Sequence, residues 1–126
     1  MKLLIDTHIL LWALGKNPRL PKRAALMLED RRNKVWVSVA TIWELAIKQG
    51  LHKIEIDFAD LENNLGQSEF DLISISYKHA VQVSELPMHH SDPFDRMLIA
   101  QATVEGAHLL TSDTQLSMYG KSIMLV

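Results

Sequence analysis

The chain has 126 residues, no cysteine, 48% hydrophobic and 22% charged residues, and a formal net charge of −2. These values suit one globular domain spanning 1–126, with enough length to bury a core, and they exclude disulfides and thiolate metal sites. No apolar run approaches the roughly 18 residues of a membrane span, the N-terminus has no secretory pattern, and the balance is not that of a protein holding nucleic acid by bulk charge alone, so a cytoplasmic protein is expected.

Leu3-Leu4-Ile5 predicts a short buried strand, with Asp6 at its carboxyl end and a helical pattern from Thr7 through Leu14. In open α/β sheets a carboxylate so placed lies in the crevice where ligands bind. Gly15-Lys16-Asn17-Pro18 breaks that helix, and Pro21 suits the first turn of a second one running to Leu28. The polar run Glu29 to Lys34 reads as a solvated exit. Val35 to Val39 predicts a second strand, and Ala40 to Gln49 a helix, with Ser38 or Thr41 as its cap and Gly50 as its C′ residue. Glu44 lies about one turn into this helix and faces Lys48 at i+4, which by itself reads as an exposed ion pair.

Residues Leu51 to Ile56 predict a short excursion, Asp57 opens a helix to Leu65, and Leu72 to Ile75 predict a third strand. Ser76 opens a helix from Tyr77 to Leu86, stopped by Pro87. Asp92-Pro93 has the form of a helix N-terminus, and Asp95 falls at the third helical position, where an acid answers exposed amides. Capping accounts for both aspartates, although Asp95 also lies one turn before Ile99 and Ala102, which should face the sheet. The helix ends at Gly106, Ala107 to Thr111 predict a fourth strand, and Asp113 repeats the placement of Asp6, with a cap for Thr114 to Met118 as the simpler reading. Ile123 to Val126 predict a last strand. Strands alternating with helices imply a parallel sheet covered on both faces and joined by right-handed crossovers.

Asp6, Glu44, Asp95 and Asp113 therefore share one predicted edge of the sheet. Four carboxylates gathered there would repel and raise one another's pKa, and such a group is ionised together at neutral pH only with cations. All-oxygen ligands favour Mg²⁺ or Mn²⁺, and a pair of such ions supports phosphodiester hydrolysis. The six histidines do not suggest zinc: there is no H-x-x-x-H pair, and His89-His90 read as surface or capping residues.

The segments Asp6-Thr7, Trp43-Glu44, Asp95-x-x-x-Ile99-Ala100-x-Ala102 and Thr111-Ser112-Asp113 resemble the four acidic motifs of PIN-domain ribonucleases, over nearly the whole chain. Asp92-Pro93-Phe94-Asp95-Arg96, followed by Leu98 to Ala102, resembles the small toxins of the VapC kind from prokaryotic toxin–antitoxin pairs. The resemblance implies a three-layer α/β/α sandwich with a mainly parallel sheet, acting as a Mg²⁺- or Mn²⁺-dependent endoribonuclease. It also implies a homodimer, an RNA substrate and inhibition by a protein antitoxin, with no membrane partner. Carried over, the catalytic and metal-binding acids are Asp6, Glu44, Asp95 and Asp113. Asp92 has no place in the general pattern and is taken as a cap or outer acid, and His8 stands where many members have a small polar residue. Lys48, Arg96, Thr111 and Ser112 are further candidates for phosphate or carboxylate contacts. Scattered basic residues (Arg31, Arg32, Lys34, Lys48, Lys53) are candidates for shaping RNA specificity, with single-stranded or loop RNA expected. The competing readings are a PIN-like module that binds RNA or protein without cutting, and a phosphotransfer domain. The second conflicts with His8 at the place of a second acid and with the missing early acidic pair.

Overall fold

In the computed structural model, which describes residues 1–126, the first strand β1 (Lys2–Ile5) lies at the centre of a five-stranded sheet ordered β3-β2-β1-β4-β5. The other strands are β2 (Lys34–Ser38), β3 (Asp71–Ile73), β4 (His108–Thr111) and β5 (Ile123–Leu125). The expectation of a mainly parallel sheet is met in full, since all four pairings are parallel. Helices α1 (Thr7–Leu14) and α2 (Lys22–Glu29) join β1 to β2, while α3 (Val39–Gly50) and α4 (Phe58–Gln67) join β2 to β3. The chain then returns through α5 (Tyr77–Val83) and α6 (Pro93–Glu105) to β4, on the far side of β1.

Right-handed crossovers made in opposite directions put the two groups of helices on opposite faces. The burial pattern of each strand follows from its two-residue period. Leu3, Ile5, Val35, Val37 and Leu110 pack with Ile9, Leu10, Leu45, Leu61 and Leu65 on one face. Leu4 and Leu109 pack with Leu98, Ile99, Ala102 and Leu116 on the other. The result is the three-layer α/β/α arrangement. No helix is long and apolar enough to cross a membrane.

Several local expectations shift. Ser38 alone caps α3, accepting from the Ala40 amide, while Thr41 is buried. Gly50 stays inside α3, and the positive φ that follows falls on His52 at 57°. Helix α5 ends at Val83, before Leu86, as the amides of Ser84, Glu85 and Leu86 turn to carbonyls three residues back. Beyond Asp113 the chain forms a 3₁₀ helix, Thr114–Tyr119. Gly106 does end α6 in the left-handed conformation, at φ 64°, where any other residue except asparagine would be strained.

Candidate active site

The strand order reverses between β1 and β4, and in parallel sheets the crevice beyond the carboxyl ends at such a switch point is the usual ligand site. Ile5 stands level with Leu110, so Asp6 and Thr111 meet one residue further along. The Thr111 hydroxyl donates to Asp6 Oδ2 at 2.5 Å, and the Asp113 amide donates to Thr111 Oγ1 at 3.0 Å. Asp6 Oδ1 accepts the Ile9 amide at 2.9 Å, so the same carboxylate caps α1. Glu44, from α3, turns to the same place: its Oε1 accepts from the Thr7 hydroxyl at 2.6 Å, and Lys48 approaches its Oε2 at 3.2 Å. Asp95 comes in from the first turn of α6, beside Asp92, whose Oδ1 caps that helix through the Phe94 and Asp95 amides. Asp113 caps the 3₁₀ helix through the Gln115 amide.

The charges feel one another. Burial, reinforced by the negative charges of Asp92, Asp6 and Glu44 and opposed by His90, pushes the Asp95 carboxyl up to about 6. Burial also raises Asp6, against the hydrogen bonds from Thr111 and Ile9, and the charge of Asp113 adds to the rise. Asp95 and Asp113, together with His90, each offer a ligand atom within 4.8 Å of the others.

A profile of the PIN domain family matches residues 3–121. The chain belongs to the PIN domain family. Its fold is similar to that of VapBC2 from Rickettsia felis bound to a DNA fragment from their promoter, with a TM-score of 0.70 and 20% identity over 100% of this chain and 98% of that one. It is also similar to a toxin–antitoxin complex from Klebsiella pneumoniae (TM-score 0.63, 21% identity, 97% and 95% of the two chains). The structure of DNA-bound VapBC from Salmonella typhimurium gives a TM-score of 0.65 at 19% identity, over 98% and 97%. No curated protein matches the chain in sequence.

Within this PIN domain the secondary candidates divide. Thr111 belongs to the acidic site through its bond to Asp6, and Lys48 through its pairing with Glu44. Ser112 lies half-buried between Thr111 and Asp113. Arg96 does not reach the acids: it is buried, and its guanidinium donates to the carbonyls of Val83, Leu86, Pro87 and His90 and to the Tyr119 hydroxyl. Its partners are neutral oxygens at the end of α5, in the α5–α6 connection and on Tyr119 of the 3₁₀ helix, so it clamps that segment. Of the basic residues considered for RNA, Arg31, Arg32 and Lys34 precede or begin β2, at the amino edge of the sheet opposite the acids. Lys53 follows the far end of α3. Only Lys48 stands beside the carboxylates. His8 is exposed and lies tilted beside Trp12, with ring centroids 5.6 Å apart.

Sequence reasoning missed two features. Thr7 orients Glu44, although spacing alone does not reveal a contact across 37 residues. His90, read as a surface or capping residue, lies with its Nε2 3.8 Å from Asp95 Oδ2. The capping part of that reading stands, since His90 Nδ1 accepts the Asp92 amide at 3.1 Å.

Proposed function

We propose that this PIN domain, acting as one unit over 1–126, is a metal-dependent endoribonuclease and the toxin of a toxin–antitoxin pair. The observation that carries the reading is the meeting of Asp6, Glu44, Asp95 and Asp113 at the switch point, with Lys48 as the basic side chain paired among them. Four carboxylates with one paired lysine repel a polyanion, and cations between them would remove that repulsion. The donor set fits such ions: every acid offers hard oxygen, and hydrogen bonds occupy only part of each carboxylate's acceptor capacity. Mg²⁺ or Mn²⁺ bound by these four acids would supply Lewis-acid polarisation of a phosphodiester and its attacking water.

The chain's own residues set the frame. Thr111 and the Ile9 amide fix both oxygens of Asp6, and Thr7 fixes Glu44, so these acids need no rearrangement on binding. Asp95 accepts no hydrogen bond within the chain, and burial, with the charges of Asp92, Asp6 and Glu44, raises its carboxyl, so a bound cation would favour its ionised form. Single-stranded or loop RNA is the favoured substrate, because its backbone can be drawn into a crevice.

The structural relatives were determined as VapBC and toxin–antitoxin complexes, which supports a protein antitoxin as the partner. For assembly we propose a homodimer through the outer face of α3. There Val39, Trp43 and Ile47 form an exposed apolar stripe, beside a cavity of about 360 Å³ lined by Ala40, Ile75, Val83, Met88 and Phe94.

The test compares purified protein with an Asp6→Asn variant on a fluorescent RNA in the presence of Mn²⁺. Loss of cleavage in the variant is expected; equal cleavage by the two proteins would end the nuclease reading.

A further inference from the structure

His90 lies in the α5–α6 connection, directly before Ser91 and the Asp92 cap. Its proximity to Asp95 and Asp113 suggests at first a third metal ligand, since the three side chains offer ligand atoms within 4.8 Å of one another. The hydrogen bonding of the ring argues otherwise. Nδ1 receives the Asp92 backbone amide at 3.1 Å. An amide nitrogen can only donate, so Nδ1 carries the lone pair and the proton of the neutral ring sits on Nε2. Nε2 is the atom that faces the acids, 3.8 Å from Asp95 Oδ2. A protonated nitrogen cannot coordinate a cation, and freeing it would mean giving up the bond that orders the turn into α6.

The donor is also held in place. Arg96 grips the same connection by the carbonyls of Val83, Leu86, Pro87 and His90 itself. The His90 side chain is only 17% exposed. At 3.8 Å its N–H falls short of a hydrogen bond to Asp95, so it points into the site with its capacity unspent. An oxygen arriving between His90 and the carboxylates would receive it, and in a site that handles RNA that oxygen belongs to the phosphodiester.

We propose that His90 is a catalytic residue of this site, donating its Nε2–H to a non-bridging oxygen of the scissile phosphate, and is not a metal ligand. The inference rests on the nuclease reading above and adds a specific contact to it. A fixed donor to charge that develops in the transition state contributes on the order of 100–1,000-fold in rate. His90→Ala is therefore expected to lower kcat/KM for RNA by about 100-fold or more, while its Mn²⁺ affinity, read by calorimetry without RNA, changes by less than the roughly tenfold that loss of a ligand or outer-shell partner costs. His90→Gln, which returns an N–H at similar reach, should recover a substantial part of the loss.

A second measurement needs no variant. Long-range ¹H–¹⁵N spectra of the histidine rings should show Nδ1 of His90 unprotonated both before and after Mg²⁺ is added. A switch to the Nδ1–H form on adding the ion, or a tenfold or greater loss of Mn²⁺ affinity in His90→Ala, would make His90 a ligand and overturn the proposal. So would unchanged cleavage in His90→Ala, or a His90→Gln variant as impaired as alanine. A parent protein that cleaves no RNA with either ion overturns the nuclease reading itself, whereas a failure confined to the His90 comparisons overturns only this contact.

Discussion

Replacing Asp95 with asparagine is expected to make the metal-free protein more stable at pH 7.5. Asp95 titrates at about 6 in the folded chain against an ordinary 3.8, because it is buried beside Asp92, Asp6 and Glu44. Between those two values the unfolded chain has already released this proton while the folded chain still holds it. The folded state of the parent protein therefore loses stability as pH rises from about 4 to about 6, and stays at the reduced level above that. The full difference corresponds to about 3 kcal/mol at 1.36 kcal/mol per pH unit. The side chain is 28% exposed, and asparagine must itself bury an amide, so solvent screening and that cost reduce the expected gain to about 1–2 kcal/mol. For a chain of this size the midpoint should rise by about 3–8 °C. Thermal and urea unfolding in EDTA at pH 7.5 and 4.5 provide the assay. The gain should fall below half at the lower pH, and Mg²⁺ should stabilise the parent more than the variant. A less stable variant at pH 7.5, or a difference independent of pH, would refute the claim that these carboxylates crowd one another.

Thr111→Val removes the hydroxyl donor to Asp6 and the acceptor of the Asp113 amide; it should cost about 1–3 kcal/mol in urea unfolding and weaken Mg²⁺ binding in calorimetry. Arg96→Met keeps the bulk but strands the carbonyls of Leu86, Pro87 and His90 and takes a donor from the Tyr119 hydroxyl, while the Val83 carbonyl keeps the Leu86 amide, so a loss of about 2–4 kcal/mol is expected, with limited proteolysis concentrating between residues 84 and 91. Trp43→Asp places a charge in the apolar stripe of α3, where Trp43 is 58% exposed and stacks edge-on against Phe94. Light scattering at micromolar concentration should show a dimer for the parent protein and a monomer for the variant.

The alternation of strands and helices was legible because each strand is a short apolar run bounded by turn chemistry and every helix but α2, which opens at Pro21, carries a side-chain cap. Asp57, Ser76 and Asp92 are all observed as caps. Element ends were less legible. Helix α5 stops at Val83 although the apolar pattern continues to Leu86: the amides of Ser84, Glu85 and Leu86 turn to carbonyls three residues back, Pro87 has no amide to offer Val83, and Arg96, from another helix, binds the carbonyls of Val83 and Leu86. That contact is tertiary and leaves no mark in local sequence. The same reason explains why Arg96 looked like a phosphate ligand: next to Asp95 in sequence, it projects from α6 in a different direction. The distribution of basic residues was illegible for a related cause, since only strand direction shows that Arg31, Arg32 and Lys34 belong to the opposite edge from Asp6.

Helix capping and metal chemistry are compatible accounts of the aspartates, because a carboxylate that caps a helix through one oxygen keeps acceptor capacity on the other. Asp6 and Asp113 each commit Oδ1 to a helix amide, to Ile9 and to Gln115, which fixes the carboxylate plane and leaves Oδ2 directed by that choice. The helix N-termini also place their partial positive charge at the acids, easing the crowding without a nearby arginine. This division of labour predicts different outcomes for two substitutions at one position. Asp6→Asn retains a carbonyl oxygen for the Ile9 amide, so α1 stays capped and the fold keeps its stability, while the charge needed to hold a cation is gone. Asp6→Ala loses the cap and the acceptor of the Thr111 hydroxyl as well, at a cost of about 1–3 kcal/mol. If the cap were the whole role of Asp6, asparagine would behave as the parent protein in metal binding and RNA cleavage, and only alanine would differ. If the carboxylate holds a cation, both variants lose metal and activity, and unfolding experiments alone separate them.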